Sequence, residues 1–129
     1  MPRPPIKPKR AWGRKFGDAF RGLWYGIVGQ NSFAVHFAMA FAVMAAAALF
    51  RVTETEWCLL ILSIAVVFTA ELVNSALEWM APAVTEDYNP HIETALNVAS
   101  AAVLMASLGA AVVGGVIFGR HLFRLLGWL

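Results

Sequence analysis

"VASAAVLMASLGAAVVGGVIFG", residues 98–119, runs for 22 residues without a charged side chain. A helix needs roughly 20 apolar residues to cross a bilayer. This stretch therefore reads as a membrane span, and the rest of the chain is read outward from it. Asn31 to Phe50 is a second such run, interrupted only by His36. Between them, Trp57 to Ala70 is apolar, and the run continues through a polar cluster toward Pro82. The whole chain has 129 residues, 60% hydrophobic and 14% charged. Soluble domains are about 45–50% apolar. The expectation is one all-α membrane domain with spans over about 31–50, 56–82 and 92–119.

Basic residues give an orientation. Arg3, Lys7, Lys9, Arg10, Arg14, Lys15 and Arg21 precede the first span, seven of the ten Lys and Arg. The turn between the first two spans carries Arg51 with Glu54 and Glu56. The positive-inside rule then places the N-terminus and the 83–93 loop in the cytoplasm, and the C-terminus outside. Arg120 and Arg124 oppose this weakly.

The segment before the first span divides in two. Residues 1–10 form a basic, proline-rich tail suited to anionic headgroups. Residues 11–28 show helical periodicity. Trp12, Phe16, Phe20, Leu23, Trp24 and Ile27 fall on one face, and Arg14, Lys15, Asp18 and Arg21 on the other. Such a helix suits the plane of the membrane surface.

Several function classes drop out. No apolar run with a cleavage site follows the basic N-terminus closely enough for a secretory leader. A single cysteine, Cys58, excludes an intrachain disulfide and reads as packing. No Gly-rich phosphate loop and no metal-binding Cys/His spacing occurs. The basic tail lacks interleaved aromatics, so lipid headgroups are the simpler partner and no nucleic acid is expected. Trp57, Trp79 and Trp128 read as interfacial anchors. Ala95, Ala99, Ala102, Ala106, Ala110 and Gly114 make a small-residue stripe that fits close helix packing in a bundle or oligomer.

The polar cluster is "AELVNSALEWM", residues 70–80. Glu71, Asn74, Ser75 and Glu78 are spaced i, i+3, i+4, i+7 and share one helix face. Ionisable groups within a span are expensive and functional by default. Two stacked carboxylates repel unless a cation or proton lies between them. Mg²⁺ takes one or two carboxylates together with substrate phosphates, and a neighbouring carboxylate can act as general base. The competing reading is interhelical hydrogen bonding with one or both acids protonated.

"ELVNSALE" resembles the E-x-x-N-[ST]-A-x-E signature of the small prokaryotic diacylglycerol kinases and undecaprenol kinases. "FRGLWYGI" resembles their surface-helix segment, "NSFAVH" the start of their first span, and "ALNVASAAVLMAS" lies where their third span carries A-K-D-x-[AG]-[AG]-A-V-L. The resemblance runs from about Phe16 to past Leu104. It implies a homotrimer in the bacterial cytoplasmic membrane that transfers the γ-phosphate of MgATP to the hydroxyl of a membrane lipid. Glu71 would then be the general base, Asn74 would orient the phosphate or the base, and Glu78 would hold Mg²⁺. Ser75 would serve helix packing. Asn97, Arg21 and Glu86 become candidate nucleotide or phosphate contacts.

Three positions depart from the pattern. Gln30 stands where the family has a metal-binding glutamate, and Leu96–Asn97 where it has a lysine–aspartate pair. The alternative reading is a weak or inactive member that binds lipid or nucleotide, or a structural membrane protein. His36 matches a histidine of the undecaprenol-kinase branch, as do Glu56–Trp57 and Pro90, which tilts the lipid choice toward a polyprenol. On its own, His36 reads as a structural histidine at the start of a span.

Overall fold

The computed structural model describes residues 12–28 and 31–128, and among them the chain forms four helices and no strand. They are α1 (Trp12–Val28), α2 (Asn31–Phe50), α3 (Glu54–Val84) and α4 (Pro90–Leu125). The basic tail 1–10 and Gln30 lie outside the described residues. The all-α reading holds, and α2, α3 and α4 are each long and apolar enough to cross a membrane.

Local chemistry sets the helix ends. Thr53 caps α3: its Oγ1 accepts the Glu56 N–H at 3.3 Å, and the Glu56 carboxylate accepts the Thr53 N–H at 2.8 Å. This capping box satisfies two donors that the first turn would leave unpaired. Asn89 caps α4, accepting the backbone N–H groups of His91 and Ile92, and Pro90 occupies the first helical position, where its missing N–H costs nothing.

The C-terminal ends of α2 and α4 share one solution. After α2, Val52 N–H reaches the Ala47 carbonyl and Arg51 N–H the Ala48 carbonyl. After α4, Trp128 N–H reaches Phe123 and Gly127 N–H reaches Arg124. Both are paired 6→1 and 5→2 closures, with the reversing residue in the left-handed region. Gly127 adopts φ 73 freely, whereas Arg51 adopts φ 52 with a β-carbon in the way. Pro82 falls in the last turn of α3, where the hydrogen bond that it removes is one of few remaining.

α3 and α4 form an antiparallel hairpin. Glu56 meets His121 near one end, and Asn74 meets Ser100 toward the other. α2 lies against both. At the end near the Arg51–Thr53 turn, Ala47, Val52, Leu60 and Ile117 are buried together, flanked by Phe50, Trp57 and Phe118. Toward the other end, Phe33 and Phe37 of α2 pack on Phe68 of α3, with ring centroids 5.0–6.1 Å apart. Trp57 thus packs inward, while Trp79 and Trp128 are exposed.

α1 approaches α3 closely at one point. A β-carbon on Gly26 would stand 2.6 Å from Leu72 Cδ2, so only hydrogen fits there without a shift. The side chains of Trp12, Phe16, Phe20 and Trp24 are exposed. Most apolar side chains of α2, α3 and α4 are exposed too, as befits faces that meet lipid or another helix rather than water. Cys58 is among the exposed residues, which corrects the packing reading: it sits on the outward face of the first α3 turns. Part of the small-residue stripe serves the hairpin itself, since Ala99 is buried, while Ala95 and Ala102 are exposed.

Candidate active site

The polar cluster is the most deeply buried polar group among the described residues. Glu71 is 2% exposed, Asn74 6% and Ser75 2%. Their helical spacing turns them toward α2, α4 and the C-terminal end of α1. Glu78 lies one turn further on and is half-buried.

Each member has a different environment. Asn74 is a hub: its Nδ2 donates to Glu78 Oε1 at 2.8 Å, and its Oδ1 accepts from Ser100 Oγ at 3.4 Å. Ser100 also donates to the Leu96 carbonyl at 3.0 Å. Glu78 Oε1 is therefore held by an amide on the same helix, which in turn is tied to α4. Glu71 lacks such support. Its Oε2 lies 3.8 Å from His36 Nε2, and its Oε1 is buried with no hydrogen-bond partner among the described residues. Ser75 Oγ is buried and without a partner as well. An unsatisfied buried polar atom costs about 1–3 kcal/mol, more when charged. Two such atoms one turn apart mark a place built to receive something.

His36 is the principal addition to the reading from sequence. It sits between Phe33 and Phe37, whose packing on Phe68 brings α2 against α3 at the level of Glu71. It also lines a 380 Å³ cavity among α2, α3 and α4. Ser100 was not singled out by the sequence at all. Its signal was its distance from Asn74 across an antiparallel hairpin, legible only once the turn at 85–89 is placed. Ser75 is packed at 2% exposure, and its hydroxyl bonds to no neighbouring helix.

The remaining candidates lie apart from this cluster within the single chain. Arg21 on α1, Glu86 in the α3–α4 turn and Asn97 on α4 are exposed, and none is hydrogen-bonded to the cluster. Gln30 is not among the described residues. In the same turn as Glu86, the Tyr88 hydroxyl donates to Glu93 at 2.6 Å, and that bond holds the Tyr88 pKa above its ordinary value.

Among the described residues no group of three or more His, Cys, Asp or Glu side chains gathers as a metal cage. The donor set fits a hard ion held partly by substrate, because Mg²⁺ takes one or two carboxylates with phosphates and water completing its shell. Glu78, oriented by Asn74 and half-buried, is the carboxylate that such an arrangement would use. Glu71, buried and with an open oxygen, suits proton acceptance.

The chain is similar to known proteins over most of its length. Residues 17–118 match the family described as prokaryotic diacylglycerol kinase. The chain is 30% identical over 105 residues to an undecaprenol kinase of Bacillus subtilis (strain 168), covering 81% of this chain and 85% of that one. It is 31% identical over 112 residues to a diacylglycerol kinase of Synechocystis sp., covering 86% of this chain and 64% of that one.

Proposed function

This chain belongs to the prokaryotic diacylglycerol kinase family, a family of membrane lipid kinases, and from that premise we propose that it transfers the γ-phosphate of ATP to the hydroxyl of a membrane lipid. The observation that carries the assignment is Glu71, a buried carboxylate with one unpartnered oxygen on an apolar helix, one and two turns from Asn74 and Glu78.

In this reading Glu71 Oε1 accepts the proton of the lipid hydroxyl. The freed oxygen forms a bond to the γ-phosphorus, the bond from that phosphorus to the β–γ bridging oxygen breaks, and ADP leaves. Glu78 would hold Mg²⁺, which would supply charge neutralisation at the phosphates. Asn74 keeps Glu78 in place through their 2.8 Å hydrogen bond. Phosphoryl transfer rests mostly on positioning and charge neutralisation, so this small group of side chains suffices. His36, 3.8 Å from Glu71 Oε2, is the ionisable neighbour of that carboxylate.

In this reading the enzyme lies in the bacterial cytoplasmic membrane, and the basic excess before α2 supports a cytoplasmic N-terminus and 83–93 loop. α1 then lies on the cytoplasmic surface, near Glu78 and the ATP supply. Exposed Asn97, Arg21 and Glu86 are available to nucleotide, and a homotrimer would bring α4 of one subunit beside α3 of the next.

The test is direct. Purified protein in lipid bilayers receives labelled ATP and Mg²⁺, with diacylglycerol or undecaprenol offered separately. Label should move to one lipid only when Mg²⁺ is present. No transfer to either lipid would sink the reading.

A second reading is favoured by Leu96 and Asn97, which carry no charge where the family has a cation and an acid. It is a weakened member that binds without efficient transfer. Restoring the pattern with Gln30→Glu, Leu96→Lys and Asn97→Asp should then raise transfer above the natural chain. A lower rate in the triple variant would identify the uncharged residues as part of a retuned site.

A further inference from the structure

Four hydroxyls within the helices follow a rule that Ser75 and Ser107 break. Ser63 donates to the Leu59 carbonyl at 2.8 Å, Thr69 to Ala65 at 2.8 Å, Thr94 to Pro90 at 2.7 Å and Ser100 to Leu96 at 3.0 Å. Each turns back on the carbonyl four residues earlier, the usual refuge of a hydroxyl in an apolar helix. For Ser75 that carbonyl belongs to Glu71. Ser75 leaves it unused and stays buried at 2% exposure with no partner.

The neighbouring orphan gives this meaning. Glu71 Oε1 is also buried and unpartnered. Residues at i and i+4 hold their β-carbons about 5–6 Å apart on one face. A single bridging oxygen hydrogen-bonds at about 2.7–2.8 Å to each of two such partners. The required chemistry is specific. An ionised carboxylate only accepts, a serine hydroxyl donates, and an alcohol does both at one oxygen. Ser107 has an orphaned hydroxyl too, but no orphaned acceptor accompanies it.

Ser75 also lines an open groove of about 470 Å³ between α1 and α3, within the usual range for small-molecule sites of about 300–1,000 Å³. Gly22, Gly26, Leu72, Ala76 and Trp79 make the groove apolar around that hydroxyl. A β-carbon on Gly22 would meet nothing within 4 Å, so the glycine leaves the groove wide. The groove runs past Ser75, one helical turn from Glu71, and its mostly apolar lining suits a hydrocarbon chain.

We propose that Ser75 is the second hydrogen-bond partner of the acceptor lipid: its Oγ–H donates to the lipid's alcohol oxygen while that alcohol donates its own proton to Glu71. Ser75 is thereby a substrate-positioning residue that aims the reacting lone pair away from Glu71 and toward the phosphate. The proposal rests on the reading of Glu71 as the base. The shared chemistry is a primary alcohol at the end of a hydrocarbon, whether from an acylglycerol or a prenol.

Two readouts test it in the same bilayers, with Ser75→Ala, Ser75→Cys and Ser75→Thr. In turnover, loss of one hydrogen bond should raise the lipid KM of the Ala variant about tenfold and leave the MgATP KM unchanged. The Thr variant, which keeps the donor, should recover most of the loss. The second readout needs no turnover. Binding of dioctanoylglycerol is compared with trioctanoylglycerol, and farnesol with farnesyl methyl ether; each second member lacks the free hydroxyl. The natural chain should prefer the alcohol in at least one pair, and the pair that shows it identifies the lipid source. Ala and Cys should erase that preference, and Thr should keep it; Cys keeps the serine's size with a weak donor, should Ala disturb the fold.

An unchanged preference in both Ala and Cys overturns the proposal and assigns the orphaned hydroxyl to a trapped water. So does the absence of any preference in the natural chain, or an equal rise in the MgATP KM. Transfer that proceeds with Ser75 silent in both readouts refutes this inference and leaves the kinase. A Ser75-dependent alcohol preference without any transfer refutes the kinase and leaves the alcohol site.

Discussion

Each end of the helical bundle pairs a glutamate with a histidine, and the two pairs behave differently. Near the Arg51–Thr53 turn, Glu56 Oε2 lies 3.1 Å from His121 Nε2 and takes the Thr53 N–H at 2.8 Å. It caps α3 and fastens α4 to it, next to the cluster of Ala47, Val52, Leu60 and Ile117. At the other end, Glu71 stands 3.8 Å from His36 and leaves Oε1 unbonded in a dry setting. The same two residue types make a hydrogen-bonded clasp at one end and leave a carboxylate oxygen unpartnered at the other. Residue identity does not separate structure from chemistry in this chain; the degree of satisfaction does.

The contrast breaks most readily at Glu71. Glu71→Gln should lower turnover by about 10²–10⁴-fold, the usual contribution of a general base, with MgATP binding retained. Glu56→Gln, the same change at the other end, should leave turnover within a few-fold. Steady-state rates of both variants with saturating lipid decide the matter, and equal losses would erase the distinction. Next in size is the hub. Glu78→Gln should raise the MgATP KM about tenfold, and Asn74→Ala should do part of the same by releasing Glu78, each tenfold corresponding to about 1.4 kcal/mol. An effect confined to the lipid KM would remove Glu78 from the phosphate end.

Stability should show the opposite ranking. A double-mutant cycle on Glu56 and His121, followed by thermal unfolding in mild detergent, should give a coupling of about 0.5–3 kcal/mol, the range for residues in contact. The same cycle on Glu71 and His36 should fall below it. A larger coupling at Glu71 would make that pair the clasp. The smallest effect concerns the turn itself. Arg51→Gly relieves a left-handed residue that carries a β-carbon and should stabilise by about 0.5–1 kcal/mol. Destabilisation would show that the arginine side chain, not its backbone, matters there.

The sequence disclosed the bundle through uninterrupted apolar runs, since 98–119 has no other economical reading. It disclosed one face of the site for the same reason: i, i+3, i+4, i+7 spacing along a single helix needs no tertiary knowledge. What it withheld depends on how helices cross. His36 reaches Glu71 because three phenylalanines seat α2 on α3. His121 finds Glu56 over 65 residues of separation, although the sequence offered only its basic neighbours Arg120 and Arg124 as charges to weigh. The orphaned state of Ser75 was equally hidden, because a side-chain rotation decides whether a hydroxyl folds back on its own helix. Asn97 illustrates the reverse: matched by position to a family motif, it is exposed in the single chain and apart from the cluster.

Gly26 gives α1 a fulcrum. The helix touches α3 closest there, near its C-terminal end, and Trp12 stands fourteen residues away, about 21 Å at helical rise. A tilt of about 10° at the pivot carries the Trp12 end about 4 Å, by the same geometry. The short arm moves far less, so the groove beside Ser75 is geared down from whatever the long arm rests upon. A shift of a few ångströms at the Trp12 end would reach the groove only as a fraction of one.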